Sequence, residues 1–273
     1  MTATPVRQPA VAGRFYPRDP EILRGEVDTY LSRTSSQKTI RALGCIAPHA
    51  GYVYSGHVAG AVFSSLDIPQ LCVVLCPNHT GSGRPLAIMS EGVWETPLGP
   101  VPIASDFTAD LKQRFPLLQE DSSAHRSEHA TEVELPFLQV RQAKLTFVPI
   151  ALGTGQFEPL EQLGLALAEA IAAHPKPVLI VASSDMNHYE PDAITRVKDQ
   201  SAIEPILRLD ARALYDVVTQ QHITMCGFGP AIAMLTATKK LGATSAELVK
   251  YATSGDISGD RDMVVGYAGI VVR

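Results

Sequence analysis

Four places in this sequence of 273 residues bring together side chains that can hold a metal or move a proton. The apolar run 43–47 is followed by Pro48-His49-Ala50-Gly51-Tyr52, and the run 71–76 by Pro77-Asn78-His79. The run 178–183 is followed by Ser184-Asp185-Met186-Asn187-His188. The fourth place is Met225-Cys226-Gly227-Phe228-Gly229-Pro230. One histidine after a strand is more often packed or solvated than a ligand. Three of them with a glycine-flanked cysteine supply imidazole and thiolate donors of the kind that bind iron, copper or zinc. Cys226 also precedes a predicted helix whose amino end favours a thiolate, and Gly227 and Gly229 after it let backbone pass close to a ligand. A buried cysteine in a tight turn would look the same from the sequence.

A fifth cluster, Glu128-His129-Ala130-Thr131-Glu132-Val133-Glu134, opens a predicted helix. His129 and Glu132 are three apart and would share a helical face, while an acidic first turn that complements the helix dipole is the plainer reading. His57, His125, His174 and His222 show no partner pattern and read as surface or packing residues.

Elements able to position these groups are visible in the hydrophobic pattern. Short runs rich in Val, Ile and Leu at 43–47, 71–76, 145–151, 178–183 and 264–272 have the character of buried strands. Between them, helical spacing predicts helices at 55–66 after Ser55, at 159–173, and at 230–241 opening with Pro230. The segment 93–103 interrupts the pattern with three prolines and Gly99, and reads as a hairpin or loop insertion. Strands alternating with helices predict an α/β fold with a parallel or mixed sheet covered on both faces. In such sheets ligands bind beyond the carboxyl ends of the strands, where the three histidine segments lie.

Length and composition set the class. With 45% hydrophobic and 19% charged residues the chain can build one large core, so a single domain over 1–273 is expected. A net charge of −5 and the lack of any long Lys/Arg run exclude a nucleic-acid stripe. No signal-peptide pattern and no run of roughly 18 apolar residues appear, so a cytoplasmic protein without a membrane partner is expected. Cys45, Cys72 and Cys76 lie in or beside apolar runs as small hydrophobes, with spacing that fits neither a zinc knuckle nor a CxxC pair.

Read together, the motifs resemble the Memo-like family, whose microbial members are also called AmmeMemoRadiSam system protein B. The likeness runs nearly end to end. It rests on Ala12-Gly13-Arg14-Phe15-Tyr16-Pro17, Ile46 through Tyr52, Pro77-Asn78-His79, Glu128-His129 through Leu135-Pro136-Phe137, Ser183-Ser184-Asp185 with His188, and Cys226-Gly227. The resemblance implies a three-layer α/β/α fold with a mixed central sheet, similar to class III extradiol dioxygenases. It implies that His49, His79 and Cys226 hold one transition-metal ion, iron(II) before copper or zinc, with Asp185 and His188 beside it. Those two are then the expected catalytic groups, His188 as acid or base and Asp185 orienting it. His129, Glu132, Phe15 and Tyr52 are expected to bind substrate.

Where the dioxygenases use a carboxylate as third ligand, a softer and more easily oxidised thiolate stands here, a departure that bears directly on ring cleavage. The expected function is that of a non-haem metal-dependent dioxygenase, related to the extradiol enzymes, or another redox enzyme acting on a small substrate. A second expectation is a non-catalytic metal-binding or partner-binding protein, since animal Memo proteins are linked to receptor signalling and cell motility. A third is a zinc hydrolase in which His188 or Glu132 activates water. The family name implies a pathway shared with a radical SAM protein and an AMMECR-type protein. This chain carries no CxxxCxxC cluster motif, so radical chemistry would belong to the partner.

Overall fold

A computed structural model describes residues 4–32 and 39–273; the rest of the predicted 1–273 domain lies outside the described residues. In chain order the strands are β1 (Val6–Arg7), β2 (Gly44–Ala47), β3 (Leu71–Pro77), β4 (Leu86–Ile88), β5 (Val93–Thr96) and β6 (Gly99–Pro102). There follow β7 (Gln119–Glu120), β8 (Thr146–Leu152), β9 (Val178–Ser183), β10 (His188–Glu190), β11 (Ala246–Thr253) and β12 (Val264–Val272). The helices are α1 (Pro20–Ser32), α2 (Tyr52–Ser65), α3 (Ser105–Arg114), α4 (Ser123–Arg126) and α5 (Ala130–Arg141). After them come α6 (Phe157–Ala173), α7 (Asp192–Leu207), α8 (Ala211–Gln220), α9 (Phe228–Lys240) and α10 (Gly255–Ser258).

One large sheet runs in the order β10-β12-β2-β9-β3-β8-β4-β7, with β11 paired to β12 as well. Its centre, β2, β9, β3 and β8, is parallel, and it is flanked by antiparallel pairings of β12 with β2 and of β4 with β8. All seven residues of β3 are buried, because helices cover both faces. Leu71, Val73 and Leu75 enter a core shared with α3, α6, α7, α8 and α9. Cys72 and Val74 point the other way, into a core with α1, α2 and α5. This double burial is why the central strands read as unbroken apolar runs. Cys45 belongs to the same second core, so these cysteines do pack as small hydrophobes.

The predicted strands appear within two residues of their expected bounds, and 93–103 folds as the antiparallel hairpin β5–β6, turning at Gly99 with φ 110°. That hairpin joins β1 in a separate three-stranded sheet. All three predicted helices begin earlier than the reading of the sequence places them, the middle one at Phe157. The first begins at Tyr52 with Gly51 as its cap, and the Ser55 hydroxyl donates to the Ala50 carbonyl from inside the first turn. The last begins at Phe228, with Pro230 in its third position, where a missing N–H costs no hydrogen bond. Among the described residues no helix is long and apolar enough to cross a membrane.

Candidate metal centre

The carboxyl ends of β2, β3 and β9 meet at one rim, and their following loops line a cavity of ≈ 620 Å³. His49, His79, Asp185 and His188 all face it, as do Cys226 and His129, the cap residue of α5. The ligand atoms of His49, His79 and His129 lie within 4.8 Å of one another, close enough to share one ion. Cys226 approaches through His49, its Sγ standing 3.3 Å from Nε2 of that ring.

Each imidazole is held from behind. His49 is 1% exposed, and its Nδ1 lies 2.8 Å from the Ser183 hydroxyl. His79 points Nδ1 at Glu128 Oε1, 2.8 Å away, and its backbone N–H donates to the other oxygen of the same carboxylate. Glu128 also accepts from the backbone N–H groups of His129 and Ala130. Although burial works to raise its pKa, these bonds hold Glu128 below the usual carboxylate range. A carboxylate behind a ring fixes the Nδ1–H tautomer and leaves Nε2 as a free donor. His129 Nδ1 stands farther from Glu128, at 3.4 Å; its ring stacks on His79 with centroids 4.6 Å apart and touches Phe15 at 4.7 Å.

Burial keeps the His49 and His129 rings neutral, the form that binds metal. It lowers His49 well below the ordinary histidine value, helped by His129 and His79, and takes His129 down to about 4 against the pull of Glu128. His188 is lowered too, chiefly by burial. Its Nδ1 lies 2.9 Å from the Thr224 carbonyl, which can only accept, so Nδ1 carries the proton and Nε2 is left as a base. Asp185 receives the backbone N–H of His49 at 2.9 Å, yet burial raises it to about 7.

Two expectations about the site need correction. Glu132 does not line the cavity. It is 0% exposed, and its carboxylate is taken up by Arg7 Nη1 at 2.6 Å, the Tyr16 hydroxyl at 2.6 Å and the backbone N–H groups of Ala10 and Val11. It therefore anchors the N-terminal strap and has no oxygen left for substrate or for activating water. Tyr52 is likewise buried, with its hydroxyl donating to the Val133 carbonyl, under the site and away from the cavity. Of the four residues expected to bind substrate, Phe15 and His129 line the cavity.

With no metal beside it, the thiol of Cys226 is pushed well above the ordinary cysteine value by burial, with Asp185 adding to it. The glycine beside it serves packing: a Cβ on Gly227 would fall 2.4 Å from the Ser183 carbonyl oxygen. His125 is a packing residue as read, fully buried against Trp94. Sequence reasoning missed Glu128, Ser183 and Thr224 as ring-holding groups; for Glu128, its place next to His129 was the available signal.

Residues 7–271 match a family described as Memo-like protein. A MEMO1 family protein of Methanothermobacter thermautotrophicus is 40% identical, covering 96% of this chain and 99% of its own. One from Methanosarcina mazei is 42% identical over 98% of this chain and 99% of its own. Among solved structures, an uncharacterized protein from Escherichia coli K12 superposes with a TM-score of 0.58 at 13% identity, over 85% of this chain and 100% of that one. That last likeness is one of fold.

Proposed function

Since this chain belongs to the Memo-like family, we propose that it holds one transition-metal ion, iron(II) before copper or zinc, and acts through it on a small oxidisable substrate. The observation that carries this reading is the meeting of the His49, His79 and His129 rings, their ligand atoms within 4.8 Å of one another, with Cys226 Sγ 3.3 Å from His49 Nε2 at one wall of an open cavity. His49 and His79 are the firmest ligands, since each has its Nδ1 occupied behind the ring. We assign Cys226 as the third donor, next to His49 Nε2, and His129 with Phe15 as the face that meets substrate. Two imidazoles and a thiolate suit iron(II), copper or zinc, so the donor set fits such an ion.

When bound, the metal supplies Lewis acidity and, if iron or copper, one-electron chemistry. The chain's own groups supply the rest. His188 presents an unprotonated Nε2 to the cavity and takes the proton of a bound hydroxyl group. Asp185, raised to about 7 by burial, can hold or release a second proton near neutrality. Among the described residues no Lys or Arg lines the cavity, which disfavours strongly anionic substrates at its floor.

Anaerobic purification with metal analysis, followed by dioxygen uptake against a panel of catechols and other reductants, tests the proposal. His129→Ala and Cys226→Ser separate the ligand sets. Loss of metal in Cys226→Ser with retention in His129→Ala supports the assignment; the reverse puts His129 in the coordination shell and Cys226 outside it. Full metal retention in a His49→Ala, His79→Ala double variant would refute the centre altogether.

A further inference from the structure

Behind His49 lies a second buried group that the proposed chemistry does not use. Glu134, from the second turn of α5, is 0% exposed and has no cation beside it in the described ion pairs. Its Oε1 accepts from the Ser183 hydroxyl at 2.7 Å, and its Oε2 has no hydrogen-bond partner. Leaving a buried carboxyl oxygen unmatched is costly, so this residue stands where a Gln or an apolar side chain would be expected on stability alone.

Ser183 stands between Glu134 and His49 and has a single proton to give. Its other close neighbours, Glu134 Oε1 at 2.7 Å and the Ala130 carbonyl at 3.3 Å, are both placed to accept it. Oε1 can do so when the carboxyl group is ionised and when its proton sits on Oε2, so the direction of the bond is the same in both of those states. Once the hydroxyl proton is turned away from the ring, Ser183 Oγ meets His49 Nδ1 as an acceptor. The ring must then carry its proton on Nδ1, and its Nε2 lone pair faces Cys226 and the cavity.

We propose that Glu134 is a positioning residue which, through Ser183, sets the ligand-competent tautomer of His49. The carboxylate of Glu128 does this for His79 directly; for His49 the hydroxyl of Ser183, the last residue of β9, is interposed. The role is read first in the metal-free protein and so does not depend on the metal assignment. Only the affinity arm rests on the proposed metal centre.

The test is histidine ring ¹⁵N NMR on metal-free wild type, Glu134→Gln and Glu134→Leu, followed by metal titration of each. Wild type should show His49 protonated at Nδ1. Glu134→Gln, whose amide oxygen still accepts, should keep that tautomer and the wild-type affinity. Glu134→Leu should shift His49 toward the Nε2–H form and lose about 10–100-fold in metal affinity, the range typical of removing a ligand's outer partner. If Glu134→Leu fails to fold, Ser183→Ala removes the same relay with little change in volume and should show the same shift. An Nε2–H tautomer in wild type overturns the proposal, as does an unchanged tautomer in the Leu or Ser183→Ala variant. A normal tautomer pattern with no metal uptake by any form would sink the metal centre and leave this relay standing.

Discussion

Replacing Glu132 by Gln separates two roles that its place in the Glu128–Glu134 cluster leaves open. The carboxylate accepts four hydrogen bonds, two of them from charged or phenolic side chains at 2.6 Å, and ties Arg7, Ala10, Val11 and Tyr16 to the start of α5. An amide keeps the shape but loses the charge, and turns its N–H₂ toward donors that need an acceptor. Arg7 would then be a buried guanidinium, 6% exposed, stripped of its counter-ion and held by the His125 and Glu128 carbonyls and by the Trp94 ring 4.1 Å away. Breaking one side of a buried pair costs about 3–5 kcal/mol. For a chain of this size each kcal/mol moves the melting temperature by roughly 2–4 °C, so Glu132→Gln should melt roughly 6–20 °C below wild type. Thermal and urea unfolding read the stability, and metal stoichiometry on the same preparation reads the site. A melting temperature within about 2 °C of wild type, with weakened binding of a substrate, would refute the anchoring role and return Glu132 to the cavity.

Three further outcomes follow from the geometry. His188→Ala should keep its metal and melting temperature while losing about 10²–10⁴-fold in turnover, since its Nε2 faces the cavity and no metal ligand depends on it; loss of metal would make it a ligand. Under alkylation of the metal-free protein, Cys226 should be modified first, because Cys45, Cys72 and Cys76 are each 0% exposed; earlier labelling of any of those three by mass spectrometry would contradict the packing described. His125, buried and held neutral with its pKa lowered to about 4 by burial first and Arg7 second, binds a proton more readily when unfolded. Its contribution is therefore complete above about pH 6.5 and is lost as pH falls toward 4, by up to about 3 kcal/mol, so His125→Leu should flatten the acid limb of a stability-versus-pH curve over that window. An identical slope in the variant would remove His125 as a cause of acid sensitivity.

Much of the frame was legible in the residues. The central strands announced themselves because burial on both faces demands an unbroken apolar run, and that demand is local to the strand. Placing His49, His79, Asp185 and His188 at one rim followed from the same reading, since a parallel centre brings the carboxyl ends of its strands to one edge. The hairpin at 93–103 was marked by its prolines and Gly99. The family, too, was carried by short motifs kept in order along the chain.

What the residues could not settle was which way each polar group in 128–134 faces. His129 and Glu132 look like neighbours on one helical face, and His129, the cap of α5, does carry helical backbone angles with its carbonyl accepting from the Val133 N–H, yet the two side chains part company. The cap residue turns into the cavity, while Glu132 turns to Arg7, a partner 125 positions away that no local pattern could name. Tyr52 was misplaced for the same reason, its hydroxyl being claimed by Val133 from another element. The rise of the metal-free Cys226 thiol above the ordinary cysteine value comes from burial first and Asp185 second, both products of packing that the sequence does not display. Local spacing determines strands, turns and which residues reach the rim; the direction and protonation of a buried polar group depend on contacts between distant segments, and only the folded chain supplies those.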